Sequence, residues 1–232
     1  YCLSSDRQEA YNALGVRDYN KNGNMEEKSI HLLHISLETG TVNKIGDYKF
    51  SDAFDYHGQV NYLNGQKRCC FKAVISDDYF IMPSFDGILI FHLDGTQRNA
   101  TRISMANGLP SNYIHSVCIL NKNIYALSGG TKQDTRSYLL SCDIENKYLV
   151  NICDSSIKQK GENKVFLPPE LNWATEIFAY ENKNRILAVV EGGLSEYNTQ
   201  NNAWNILLPS CHIQYSHELD EEHLILSGGD FC

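Results

Sequence analysis

The sequence lacks any apolar run long enough to span a membrane, so we expect no direct membrane insertion. It also lacks clustered lysines and arginines: the formal net charge is −8, and basic pairs such as Lys67-Arg68 stand alone. A nucleic-acid surface needs such clusters, so nucleic acid is not an expected partner. Tyr1 to Ser5 have neither the charged segment nor the apolar core of a signal peptide, although removal of a targeting segment would leave the same start.

Local motifs of catalysis and metal binding are absent as well. The chain has no Gly-x-Ser-x-Gly segment, no Ser/His/Asp order and no carboxylate pair at a defined spacing. No CxxC or CxxCH occurs, and His31 and His34 would lie on opposite faces of a strand, where they cannot share a metal ion. We therefore predict no catalytic residue, no metal site and no cofactor. An active site assembled from distant segments would leave no local motif, so an enzyme stays an open alternative.

The eight cysteines leave the redox state of the chain open. Their even number permits disulfides, but Cys118 and most of the others lie in apolar runs, where a thiol serves as a small hydrophobic side chain. Cys69 and Cys70 are adjacent, and a bond between them would need a strained turn.

Three strand-like runs end on the same glycine pair. Each is an apolar alternation that follows a short polar turn, and the runs close with Leu127 to Gly130, Val190 to Gly193 and Leu226 to Gly229. Glycine permits positive φ and close approach of another backbone, so we interpret the pairs as structural. A unit that recurs in this way indicates a repeat fold.

Short strands and tight turns fill most of the chain and fall into groups of four. We predict an all-β fold: a β-propeller of four-stranded antiparallel blades, because one such sheet cannot bury both of its apolar faces alone. The predicted segment covers residues 1–232, with a partial blade at 1–48, blades at 69–104, 113–153 and 175–208, and a partial blade at 211–232. Insertions are expected at 6–28, with a short helix from Arg7 to Leu14, and at 154–172.

The two ends of the chain suggest that this propeller is open. Tyr1 to Ser5 resemble the second strand of a later blade, and Ile30 to Ile35 resemble a third strand. The chain then stops just after another second strand, which is one strand too many for a closed ring of four blades. We therefore expect about four blades, as an arc of a longer propeller whose missing blades come from the rest of a longer chain.

Two segments resemble a known family. Asn107 to Val117 contain the run Gly-Leu-Pro-Ser-Asn, which is similar to the run that enters the first strand in repeats of the two-component-regulator propeller family. Glu191 to Asn198 are similar to the Gly-Gly-Leu-x-x-Tyr-Asp run of the same family. The resemblance implies a sensor that binds a ligand, often saccharide-derived, outside the cytoplasm. The residues themselves leave the compartment open.

A kelch-like propeller is the close competitor. Kelch repeats also place Gly-Gly after the second strand, then a tyrosine and later a tryptophan, and Gly192-Gly193, Tyr197 and Trp204 follow that order. Such propellers are commonly platforms for protein–protein interaction, and a few are enzymes.

The favoured function is a non-catalytic binding module for a protein partner or a small saccharide-like ligand. The alternatives are a structural scaffold in a large assembly and a saccharide-active enzyme domain. Loops at one propeller face are the expected surface, and the candidate residues on them are Asn112, Tyr113, Arg136 and Trp173. Aromatic side chains in such loops can stack on sugar rings or anchor a partner. Trp173 has core packing as its alternative role.

Overall fold

A computed structural model of the chain shows an all-β protein. It describes residues 2–3, 8–19, 25–50, 72–76, 78–84, 86–128, 138–145, 149–154, 176–180, 183–190, 193–209, 213–218 and 223–228. Within these ranges the chain forms strands, the turns between them and the 3-10 helix Met105–Asn107. No helix in this part of the chain is long and apolar enough to cross a membrane.

The strands form five antiparallel sheets that follow one another along the chain, and in each sheet neighbouring strands are consecutive in sequence. Sheet 1 contains β1 (Cys2–Leu3), β2 (Glu9–Tyr19), β3 (Met25–Ser36) and β4 (Val42–Lys49). Sheet 2 contains β5 (Val74–Ile75), β6 (Tyr79–Ser84), β7 (Gly87–His92) and β8 (Thr101–Ile103). Sheet 3 contains β9 (Ile114–Leu120), β10 (Asn123–Ser128), β11 (Tyr138–Asp143) and β12 (Leu149–Asp154). Sheet 4 contains β13 (Glu176–Tyr180), β14 (Arg185–Val190), β15 (Gly193–Asn198) and β16 (Ala203–Pro209), and sheet 5 contains β17 (Ile213–Glu218) and β18 (Leu224–Gly228). Four consecutive four-stranded meanders are the predicted propeller blades.

Sheet 1 differs from its prediction in two respects. The segment expected to hold a helix from Arg7 to Leu14 contains β2, which pairs with β3 from Glu9 to Tyr19. A helix of that length is marginal by itself, whereas the long hairpin gives its backbone groups partners along its whole length. The first strand, β1, pairs with β2 and takes the first place in the sheet, so the expected partial blade is a complete one and residues 6–28 are largely strand. The insertion expected at 154–172 lies outside the described residues, apart from Asp154 at the end of β12.

The chain forms two compact units, Tyr1–Ser104 and Met105–Cys232. In the first unit, sheets 1 and 2 bury a shared cluster of large side chains. It contains Ile30, Leu32 and Phe50 from sheet 1 and the segment that follows it, and Phe80, Leu89 and Phe91 from sheet 2. Backbone hydrogen bonds reinforce this contact, because Asp47 donates its N–H to the carbonyl of Arg98 and accepts from the N–H of Ala100.

The second unit repeats this packing with sheets 3, 4 and 5. Between sheets 3 and 4 lies a cluster that includes Leu120, Leu127, Ile186, Tyr197 and Trp204. On the other face of sheet 4, apolar side chains of β13, β14 and β15 pack against Ile213 of β17, and Leu226 of β18 adds to them. Every sheet of the unit therefore buries a face against its neighbour in the chain, which is how blades without a core of their own become stable.

The glycine at the start of the third strand shows why the Gly-Gly signature recurs. Gly193, the first residue of β15, has φ +141°, and a Cβ atom built on it would lie 1.8 Å from the carbonyl oxygen of Leu208 in β16. Gly87 takes the same place in sheet 2, with φ +111° and a Cβ position 2.1 Å from the carbonyl oxygen of Ile103. Only glycine fits at the start of the third strand, because the backbone of the neighbouring fourth strand lies so close to it.

Two of the cysteines are described together with their side chains. Cys118 of β9 and Cys142 of β11 are buried thiols in sheet 3. Their burial agrees with the interpretation of strand cysteines as small hydrophobic side chains. The side chains of the other six lie outside the described part of the chain.

Candidate functional site

The segment that leads into β9 is held in one conformation by its own side chains. It contains the 3-10 turn Met105–Asn107, then Gly108 with φ +101°, then the buried side chain of Leu109. Asn112 closes the segment, because its Oδ1 accepts a hydrogen bond from the N–H of Met105 at 2.7 Å. Asn112, a candidate for ligand binding, therefore uses its amide oxygen to position the loop.

Two serines fix the residues that enter β9. The hydroxyl oxygen of Ser111 accepts the N–H of Tyr113 at 3.0 Å. Ser128, fully buried at the end of β10, places its hydroxyl 3.4 Å from the carbonyl oxygen of Tyr113 and 3.5 Å from that of Ser111. The Gly-Leu-Pro-Ser-Asn run thus works as a preorganised entry into the strand.

Tyr113 and His115 form the aromatic centre of this site. Their ring centroids are 4.3 Å apart in an edge-to-face arrangement. Tyr113 is 8% exposed, so most of its ring serves packing and little of it faces solvent. The pairing of β9 with β10 shifts register here, because Ser116 pairs with Leu127 and Ile114 with Ser128, so His115 lies at a β-bulge. The next residue, Ser116, accepts a hydrogen bond from the N–H of Ile177 in sheet 4.

The imidazole of His115 is neutral at physiological pH. Burial disfavours the imidazolium and lowers the pKa of His115 from 6.5 to about 4. In the described part of the chain this side chain contacts Tyr113, and no residue there hydrogen-bonds to its ring nitrogens. A neutral imidazole offers one donor and one acceptor, which is the pattern that a hydroxyl group can satisfy.

Other Tyr–His pairs in the structure have a different character. His34 of β3 lies 5.3 Å from the ring of Tyr11, and its Nε2 contacts the carboxylate of Glu9 at 2.5 Å. His92 of β7 lies 4.9 Å from Tyr79, directly opposite it in the hairpin. Both of these pairs join two strands of a sheet, whereas Tyr113 and His115 are two residues apart on one chain segment.

His31 and His34 of β3 each contact a different carboxylate. The Nδ1 atom of His31 lies 2.5 Å from Asp47, while His34 contacts Glu9 on the opposite face of β3. Within the described ranges, no three histidine, cysteine or acidic side chains are grouped so that they could hold a metal ion.

The predicted site residues have different outcomes. Asn112 and Tyr113 lie in one ordered segment, with positioning and packing roles. Arg136 and Trp173, together with the loops that carry them, are outside the described residues. Sequence reasoning missed His115, and the signal that could have found it is its position two residues after Tyr113.

No protein-family profile matches the chain, and no curated protein matches it in sequence. The fold is similar to that of solved propeller structures. Puromycin hydrolase shows a TM-score of 0.53 at 13% identity, over 94% of this chain and 29% of that one. The periplasmic gluconolactonase PpgL of Pseudomonas aeruginosa shows a TM-score of 0.53 at 10% identity, over 97% of this chain and 63% of that one.

A third similar structure is the extracellular domain of BT4673 from B. thetaiotaomicron, with a TM-score of 0.48 at 14% identity over 93% of this chain. The chain spans 24% of the length of that domain and 29% of puromycin hydrolase. The likenesses to puromycin hydrolase and PpgL establish the propeller fold. They assign no family, so the resemblances to regulator and kelch propellers stay predictions.

Proposed function

We propose that the chain is a non-catalytic ligand-binding part of a larger β-propeller protein, and that it acts outside the cytoplasm. The extracytoplasmic location is supported by the motif resemblance at Asn107 to Val117 and by the periplasmic location named for one similar propeller. The ligand we propose is a small saccharide-like molecule, which presents many hydroxyl groups. A protein partner is the other occupant that the same loops would accept.

The observation that carries this proposal is the state of His115. Its imidazole is neutral, partly buried and held beside Tyr113 by a loop that hydrogen bonds already fix. A ligand that hydrogen-bonds to it meets a preorganised group and loses little free energy in ordering the site. An uncharged donor–acceptor pair favours hydroxyl groups over ions.

We also propose that a longer chain supplies two strands to sheet 5. Gly229 follows β18 in the sequence as Gly193 follows β14, and at Gly193 the glycine avoids a clash with the fourth strand of its sheet. On the face of sheet 4 that sheet 5 covers, Leu208 of β16 stays partly open to solvent, as it would before a third and fourth strand packed there.

Calorimetric titration of the chain with a panel of neutral mono- and oligosaccharides tests the binding function. We expect a saturable ligand whose affinity falls at least tenfold in His115→Gln, because the flexible amide does not hold a donor and an acceptor at the positions of the two ring nitrogens. His92→Gln is the matched control, since it removes a histidine of another Tyr–His pair, and its affinity should equal that of the wild type.

Equal weakening in both variants, or no saturable binding by any member of the panel, would overturn the assignment of this site. If NMR of the mixture showed that a bound saccharide is consumed, the chain would instead be part of an enzyme.

A further inference from the structure

A buried carboxylate lies at the turn between β6 and β7. The side chain of Asp86 is 5% exposed, and its N–H donates to the hydroxyl oxygen of Ser84 at 3.1 Å. Ser84 in turn donates to the carbonyl of Gly87 at 2.7 Å, which fixes the turn. Asp86 stands where the Gly-Gly signature has its first glycine, so this sheet alone among the recurring turns carries a charged group at that point.

Two side chains satisfy the carboxylate of Asp86. The Nη1 atom of Arg102, from β8, lies 2.9 Å and 2.8 Å from its two oxygens. The hydroxyl of Tyr48, from β4 of sheet 1, donates to the same carboxylate. Burial and the carboxylate raise the pKa of Tyr48, so the phenol stays protonated and remains a donor. A buried charge needs such pairing to be tolerated.

Arg102 is only partly used by this arrangement. Its side chain is 37% exposed, and its hydrogen bonds to Asp86 and Tyr48 all run through Nη1. In the described part of the chain, its Nε and Nη2 donate to no residue. These two atoms form the edge of a guanidinium that matches both oxygens of a planar carboxylate.

A second arginine in the structure, Arg185, also pairs with a buried carboxylate and is about as exposed as Arg102, at 39% against 37%. Arg185 of β14 contacts the buried Glu196 of β15 at 2.7 Å through Nη1. Its Nε is buried and has no hydrogen-bond partner, so no exposed donor edge remains there.

We propose that Arg102, oriented by Asp86 and Tyr48, binds the carboxylate group of a small organic acid, such as an acidic sugar, at this end of sheet 2. The buried carboxylate holds the guanidinium in place, and the unused Nε–Nη2 edge receives the ligand in a bidentate contact. Because Asp86 and Tyr48 already hold Arg102 through Nη1, the arginine side chain loses little conformational entropy when a ligand binds. This site stands on its own residues and does not depend on His115.

Calorimetric titration of the chain with sodium glucuronate at low ionic strength tests the proposal, with glucose and inorganic phosphate as comparison probes. We expect saturable glucuronate binding that depends on Arg102, and no glucose binding that depends on Arg102. Arg102→Lys should weaken glucuronate at least tenfold, because an ammonium keeps the charge beside Asp86 but lacks the two-donor edge. Arg98→Lys, an exposed arginine of the same segment, should bind as the wild type does.

Thermal unfolding of the same variants separates binding from folding. Arg102→Lys is expected to unfold within a few degrees of the wild type. Absence of saturable glucuronate binding, unchanged affinity in Arg102→Lys, or phosphate binding as tight as glucuronate would each overturn the carboxylate site. Loss of saccharide binding through His115 leaves this result unaffected, so failure of one proposal is distinguishable from failure of the other.

Discussion

At the scale of single residues, the chain places its polar groups where strands begin and turn. The side chains of Asn112, Ser111 and Ser128 hydrogen-bond to the backbone around Tyr113. The carboxylate of Asp86 pairs with Arg102 and accepts a hydrogen bond from Tyr48 of the preceding sheet. Both sets position a side chain, His115 in one case and Arg102 in the other, whose own hydrogen-bonding capacity is left partly unused in the described chain.

The depressed pKa of His115 predicts a loss of stability in acid. The folded state holds its pKa at about 4, below the 6.5 of an unfolded chain, so the unfolded state binds more protons between these values. The stabilisation is complete above pH 6.5 and is lost as the pH falls towards 4. Linkage puts the loss between pH 7.5 and pH 5.0 at about 2 kcal/mol in the free energy of unfolding.

Urea unfolding at those two pH values measures this difference. His115→Gln removes the titrating ring and should reduce the difference by most of that amount. His92→Gln should keep the wild-type difference, and an equal reduction in both variants would show that His115 is not its source.

At the scale of elements, the Gly-Gly signature marks the place where the third strand of a sheet begins, beside the end of the fourth strand with which it pairs. The positive φ of Gly193 and the nearby carbonyl of Leu208 both exclude a side chain. Gly40, in the turn between β3 and β4, also has positive φ, but nothing lies within 4 Å of the place that its Cβ would occupy. A side chain at position 40 would therefore meet backbone strain alone, whereas one at position 193 would meet both backbone strain and a steric clash.

We expect Gly193→Ala to lower the free energy of unfolding by more than about 3 kcal/mol. The alanine must adopt a strained backbone conformation, and strand β16 must also move away from β15. Gly40→Ala should cost only about 1 kcal/mol, from the left-handed conformation alone. Chemical denaturation of both variants measures the two costs. Similar losses would mean that the crossing strand adapts without cost, and that the signature serves backbone conformation only.

At the scale of the whole molecule, the sheets are held by side chains shared between neighbours. Ile186 of β14 is fully buried in the cluster between sheets 3 and 4, whereas Ile225 of β18 is 50% exposed. Ile186→Ala removes the same atoms as Ile225→Ala, but from a packed interface between two sheets.

The expected loss is about 2–5 kcal/mol for Ile186→Ala and less than about 1 kcal/mol for Ile225→Ala, because only the first leaves a cavity. Equilibrium unfolding in urea gives both values, and hydrogen exchange should show increased opening in sheets 3 and 4 in the first variant. Equal losses would contradict the view that the faces between sheets carry the stability of this unit.

Much of the fold was predictable because it depends on local pattern. Alternating apolar residues, polar turns and recurring glycine pairs are properties of short segments, so the four-stranded units beginning near residues 74, 114 and 176 follow from them. The first sheet was less predictable. The polarity of residues 6–28 hides a long hairpin whose partners, β2 and β3, are decided by pairing across the sheet and not by local preference.

The candidate sites were predictable only in part. The Gly-Leu-Pro-Ser-Asn run made the loop of Asn112 and Tyr113 a candidate site. Their roles in positioning and packing depend on contacts that form only in the folded loop. Asp86 was interpretable from sequence as a turn residue. Its burial against Arg102 and Tyr48 joins residues 16 and 38 positions away, and no local pattern reports such a contact.

The sequence by itself determined the class of the protein: an acidic, all-β repeat chain with glycines where the third strands of its sheets begin. These features are local, because each depends on the period of side chains along a strand or on the φ of one residue. Only the tertiary structure decided which side chains are buried, which polar groups pair and which keep unused donors. Those outcomes depend on what the neighbouring sheet brings to the contact, and that is a property of packing between segments far apart in the chain.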